Sequence, residues 1–97
     1  MTIQSFGDDR TEKIFLGVRD KSVSKFPPDV LKVAERKLDM LEAAASIHDL
    51  ASPPANRLEK LKGSEKEFWS IRINDQWRII FKWLDDGPHE VRITDYH

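Results

Sequence analysis

The 97-residue chain contains no cysteine, which excludes a disulfide framework and thiolate-bound zinc and suits a reducing compartment. No apolar run approaches the roughly 20 residues of a membrane-spanning helix, and the opening Met-Thr-Ile-Gln-Ser-Phe lacks the basic start and apolar stretch of a signal peptide. The expectation is a soluble, cytoplasmic protein with no membrane partner. Nor does one sign of charge dominate: 16 Lys and Arg against 17 Asp and Glu leave −1, and residues 1–56 and 57–97 are each near balance. The basic surplus of many free nucleic-acid binders is missing, so any phosphate site must come from local clustering. There is likewise no glycine-rich phosphate loop, dinucleotide fingerprint or serine-nucleophile motif. The length fits one domain spanning residues 1–97.

What the chain does have is β-favouring apolar mass between residues 67 and 83. Trp69, Ile71 and Ile73 alternate with Ser70, Arg72 and Asn74, and Trp77, Ile79, Phe81 and Trp83 alternate with Arg78, Ile80 and Lys82. This period of two predicts a hairpin with one buried face. A loop of Asn74, Asp75 and Gln76 sets Ile73 opposite Trp77, Ile71 opposite Ile79 and Trp69 opposite Phe81, whereas a two-residue loop would mix arginine and tryptophan on both faces. The same parity places Arg72, Arg78 and Lys82 together on the other face, a sparsely covered surface able to meet an anion. The three tryptophans read as core.

Elsewhere, residues 2–6 read as a short strand, followed by a helix capped by Asp8 or Asp9, with Ile14, Phe15 and Val18 as its apolar face and its end at Gly17 and Arg19-Asp20-Lys21. Residues 22–27 read as a connector that tucks in Val23 and Phe26. Pro27-Pro28-Asp29 starts a long helix over about 28–45, lined by Leu31, Ala34, Leu38, Leu41 and Ala45. Ile47 to Asn56 is a proline-bearing loop, and Leu58 and Leu61 anchor the segment leading to Gly63. After Asp85-Asp86-Gly87-Pro88, residues 90–97 alternate as a last strand with Val91 and Ile93 inward. The expected architecture is a single small α+β domain: a short N-terminal strand, two helices, then a three-stranded antiparallel sheet.

The chain's closing Asp95-Tyr96-His97 is the one cluster of groups suited to moving protons. Set beside Arg72, Arg78 and Lys82, it has what RNA phosphodiester cleavage needs: cations for the charge developing on phosphoryl oxygens, and a base and acid for the 2′-hydroxyl and leaving oxygen. No metal or other cofactor is then required. A metal site of His48, His89 and His97 is the competing idea, but these residues lack the short spacings zinc sites use. Arg72 and Arg92 read otherwise as strand-surface residues that add positive field, and the hairpin's polar face suits a protein partner as well as RNA.

Asn56-Arg57-Leu58, Leu61-Lys62-Gly63, Trp69-Ser70-Ile71-Arg72-Ile73-Asn74, Trp77-Arg78-Ile79 and Asp95-Tyr96-His97, in this order over essentially the whole chain, resemble the HigB toxins of the RelE/ParE superfamily. The resemblance implies a RelE-like fold and a type II toxin that cuts mRNA in the ribosomal A site without metal, leaving a 2′,3′-cyclic phosphate. It implies a HigA-type helix-turn-helix antitoxin as partner, with ribosome and mRNA as targets and operator DNA reached only through the antitoxin complex. Ribosome dependence fits the near-zero charge, since a toxin positioned by the ribosome need not grip free RNA. By the same resemblance Arg78 contacts the scissile phosphate, and Asp95, Tyr96 and His97 form the catalytic tail, His97 transferring a proton. By that resemblance Lys62 stabilises the transition state, while Arg72, Lys60 and Lys82 are expected RNA contacts on their positive charge alone. Where several family members have a histidine, this chain has Glu59, which either takes over acid–base work or leaves a slow enzyme. A ParE-like gyrase poison of the same fold, and a weakened toxin kept as an interaction protein, are the alternatives.

Overall fold

The computed structural model describes residues 2–95. Three helices, α1 (Asp9–Leu16), α2 (Lys21–Ser24) and α3 (Pro28–Ala43), precede an antiparallel sheet of β1 (Glu59–Lys60), β2 (Phe68–Arg72), β3 (Trp77–Leu84) and β4 (Gly87–Asp95), in the spatial order β1-β2-β3-β4. The hairpin register is the one parity demands: Trp69 faces Phe81, Ile71 faces Ile79 and Arg72 faces Arg78. Asn74 makes the turn by accepting from the Gln76 and Trp77 backbone N–H groups at 2.9 and 2.8 Å through its Oδ1. Ile71, Ile79, Phe81, Val91 and Ile93 bury the inner face against Val30, Ala34, Leu38 and Leu41 of α3 and Ile14 of α1. Trp69, Trp77 and Trp83 pack at the border of this core, half-buried; Trp77 meets the buried Phe26 edge-on at 5.1 Å.

Four expectations need correction. Residues 2–6 form no strand; they make one parallel bridge, Phe6 to Val91, and shield the edge of β4 through Gln4 N–H to Pro88 O and Gly7 N–H to Val91 O, both 2.8 Å. Only Ile3 and Phe6 are apolar there, too few for alternation, and the close approach needs glycine: a Cβ on Gly7 would stand 3.0 Å from Glu90 O. Secondly, the sheet has four strands, because Glu59 and Lys60 pair with Ser70 and Trp69 by backbone bonds that need no apolar pattern. Thirdly, Asp20 does not close α1 but opens α2, its carboxylate accepting from Ser22 and Val23 N–H; Val18 is exposed. Finally, α3 stops at Ala43, Ala45 is exposed, and the buried stripe runs through Val30, Ala34, Lys37, Leu38 and Leu41.

The β4 edge beyond the N-terminal segment is closed by α1. Buried Thr11 accepts from the Ile93 N–H at 3.0 Å through its Oγ1, so a sheet donor is satisfied by a helix side chain. The last strand is thereby held in register up to Asp95. Among the described residues no helix is long and apolar enough to cross a membrane.

Candidate active site on the outer sheet face

The register arranges the outward side chains in three cross-sheet rows. At the hairpin-loop end Arg72, Arg78 and Thr94 face one another on β2, β3 and β4. The middle row is Glu59, Ser70, Ile80 and Arg92, one from each strand. The far row is Phe68, Lys82 and His89. Rows lie about 7 Å apart along a strand, and strands about 5 Å apart.

Two arginines directly opposite each other repel unless anions compensate. Arg72 pairs with Asp75 in the hairpin loop, and Arg78 Nη1 donates to the Asn74 carbonyl at 2.6 Å, which fixes its guanidinium at the loop end of the face. Behind them Lys37, 5 % exposed on α3, donates from Nζ to the Arg72 carbonyl. Burial pushes the Lys37 pKa down, and the nearby positive charges of Arg36, Arg72 and Arg78 push it the same way. Three cations thus converge on one end of the sheet, an arrangement that favours an anion there.

Not every expected cation joins them. Lys82 is committed to Glu90 at 2.8 Å and Glu67 at 3.6 Å, and its hydrogen bond to Glu90 raises its pKa and lowers that of Glu90. Lys60 follows the parity of Trp69 and lies over that ring at 5.1 Å, on the opposite side from Arg78. Lys62 is exposed just beyond β1, at the start of the 3-10 turn Gly63–Glu65. Glu59 stands on the Arg78 face at the sheet edge, with no ion pair to Lys60 or Lys62 among the described residues. Asp95 is opposite Trp77 at the end of β4, borders the groove formed by Ser70, Ile80, Arg92 and Thr94, and accepts from Gln76 Nε2 at 3.2 Å. Tyr96 and His97 lie outside the described residues.

Sequence reasoning missed Lys37 by assigning charge to solvent, although its position three after Ala34 and four before Leu41 puts it on the buried stripe. It also missed the groove of about 300 Å³ floored by Ser70 and Ile80 and walled by Leu61, Glu65, Arg92, Thr94 and Asp95. Nothing local in Gly63-Ser64-Glu65 announces that Glu65 turns toward Arg92, 3.7 Å away. Among the described residues no group of three His, Asp or Glu side chains is placed to hold a metal ion.

The fold is that of small bacterial toxins. The YoeB dimer structure from Staphylococcus aureus matches 100% of this chain and 97% of its own with a TM-score of 0.61 at 18% identity. The YoeB/ParE toxin from Agrobacterium tumefaciens matches 100% of both chains with 0.57 at 16%. Residues 4–97 match the model of the HigB-like toxins, described as the RelE-like toxin of the type II toxin-antitoxin system HigB, and the chain belongs to that family. It is 44% identical over 66 residues to Toxin HigB-1 of Vibrio cholerae, covering 68% of this chain and 70% of that one. It is 30% identical over 80 residues to Endoribonuclease HigB of Proteus vulgaris, covering 80% and 85%. An uncharacterised Haemophilus influenzae protein shares 52% over 73 residues, 75% of this chain and 72% of that one.

Proposed function

We propose that this toxin is a ribosome-dependent mRNA endonuclease of the cytoplasm, neutralised by a HigA-type antitoxin. The observation that carries the reading is the Arg72–Arg78 pair on the outer face, backed by Lys37 and adjoined by the strand that leads into Asp95. Family membership and the endoribonuclease from Proteus vulgaris support it.

In the mechanism the 2′-oxygen attacks phosphorus as its proton passes to a base, the P–O5′ bond breaks, and an acid protonates the departing 5′-oxygen. The products are a 2′,3′-cyclic phosphate and a 5′-hydroxyl. Arg78 donates to the non-bridging oxygens, where charge grows in the transition state. Lys62, exposed just beyond β1, stabilises the same developing charge. Glu59 is the base, being acceptor-only when ionised and on the Arg78 face, and His97 is the acid, with Tyr96 orienting the nucleotide. Arg72 steers the message backbone toward Arg78.

The test is single-turnover cleavage of ribosome-bound mRNA by the wild type and by a variant lacking residues 96 and 97. The expected loss is about 10²-fold or more, the usual scale for an acid–base group, with antitoxin binding retained. Full activity of the truncated form would remove the tail from catalysis and favour a gyrase-poisoning role.

A further inference from the structure

The far row of the outer face, with its neighbour Arg92, has the parts of a track for single-stranded RNA: the Phe68 ring is flanked by two cations, Lys82 Nζ at 5.4 Å and the Arg92 guanidinium at 5.8 Å from its centroid. Each cation is nevertheless met by a carboxylate. Lys82 lies 2.8 Å from Glu90 and 3.6 Å from Glu67, and Arg92 lies 3.7 Å from Glu65. Glu90 reaches Lys82 from a strained backbone. It sits where the β3–β4 register shifts, with φ 52°, a left-handed conformation that a side-chain-bearing residue rarely adopts. The N-terminal segment holds it there: the Glu90 N–H donates to Ser5 Oγ at 2.8 Å and the Val91 N–H to Ser5 O at 3.1 Å. The Glu90 side chain is 52 % exposed and that of Glu67 72 %, and ion pairs so exposed add little to stability, so the fold does not account for the placement.

We propose that Glu90 and Glu67 are specificity determinants that keep Lys82 from gripping RNA, so that the outer face engages a message only at its Arg72–Arg78 end. Free RNA offers phosphates along its whole length, and an uncapped lysine exchanges counterions for them whatever the sequence. With Lys82 released, Phe68, Lys82 and Arg92 would extend the arginine row by about 13 Å, the span of the four residues from Arg78 to Lys82 along β3, into a track for several nucleotides. With Lys82 capped, a phosphate arriving there meets two carboxylates against one ammonium and is repelled. RNA is then held at the loop end, where the ribosome presents it. The inference rests on the endonuclease reading and adds why the toxin spares RNA that no ribosome presents.

The experiment titrates single-stranded oligouridine against the full chain over a range of salt concentrations. The proteins are wild type, Glu67→Gln/Glu90→Gln, that pair combined with Lys82→Gln, and Glu12→Gln/Asp39→Asn, which removes two exposed carboxylates from α1 and α3 for the same change in net charge. Glutamine at position 90 keeps the bond to Ser5, which uses only the Glu90 backbone, so the bulge survives. Releasing Lys82 adds one phosphate contact, so the first pair should steepen the fall of log affinity with log salt by about 0.7 and raise affinity several-fold at about 50 mM salt. Adding Lys82→Gln should return both to wild type, and the helix pair should leave the slope unchanged. In single-turnover cleavage of ribosome-bound mRNA, added oligouridine should inhibit Glu67→Gln/Glu90→Gln at several-fold lower concentration than wild type. Wild-type affinity and slope in that variant, an equal gain in the helix pair, or a gain that survives Lys82→Gln would overturn this inference while wild-type cleavage stands. Absence of cleavage by wild type on ribosomes would overturn the endonuclease reading and this inference with it.

Discussion

The inner and outer faces of the hairpin are built from alternate residues of the same two strands, yet they are held by different physics. Inside, Ile71, Ile79 and Phe81 are each 0 % exposed and each removes enough apolar surface from water to contribute about 1.5–3 kcal/mol. Outside, the same strands carry Arg72, Arg78 and Lys82, whose ion pairs and hydrogen bonds are exposed or half-buried and contribute little to stability. The inner face holds the fold together, and the outer face can therefore carry unfavourable features, opposed arginines and unpartnered oxygens, without endangering it. Such locally costly choices are expected where a site, not the fold, sets the residue.

Substitutions that separate the faces test this division. Phe81→Ala leaves a cavity at the centre of the inner face and is expected to cost about 3–5 kcal/mol in denaturant unfolding. Thr11→Val keeps the shape but orphans the Ile93 N–H, and should cost about 1–3 kcal/mol by the same measurement, loosening the last strand first. Lys37→Met sits between the faces: it exchanges a poorly compensated buried ammonium for an apolar side chain of similar length, so stability should hold or rise while cleavage falls.

The Lys37 exchange also has a pH signature. The folded-state pKa of Lys37 lies below its ordinary value of 10.5, chiefly through burial. Between the folded value and 10.5 the unfolded chain binds more protons at this site, so the site's contribution to stability rises with pH across that window. Unfolding curves over the alkaline range should show that rise in wild type and a smaller one in Lys37→Met. The smallest effect belongs to the outer face: Asp75→Ala, which breaks only the exposed pair with Arg72, should shift unfolding by less than about 1 kcal/mol.

The same contrast explains what could be read from the chain alone. Strand parity sets the pairing of Ile71 with Ile79 from the chain alone, since a slip of one residue would have mixed arginine and tryptophan on both faces. The caps at Asp8 and Pro28 marked the starts of α1 and α3 for equally local reasons. Glu59 and Lys60 escaped notice because an edge strand of two residues has no pattern of its own and exists only through β2. The placement of Arg72, Arg78 and Lys82 on one face followed from parity, but their degree of neutralisation did not. Lys82 meets Glu90 only across a strand pair interrupted by a bulge, at Glu90 with φ 52°. Lys37 was hidden by the assumption that a lysine on an amphipathic helix faces solvent.

The central claim is that the outer face does the chemistry while the inner face carries the fold. It is tested most directly by Arg78→Ala, measured for cleavage of ribosome-bound mRNA and for thermal midpoint in the same preparation. The account predicts a loss of at least about 10²-fold in cleavage, the scale of removing a transition-state donor, with the midpoint nearly unchanged. Wild-type cleavage by the variant, or a midpoint that collapses with it, would contradict the account.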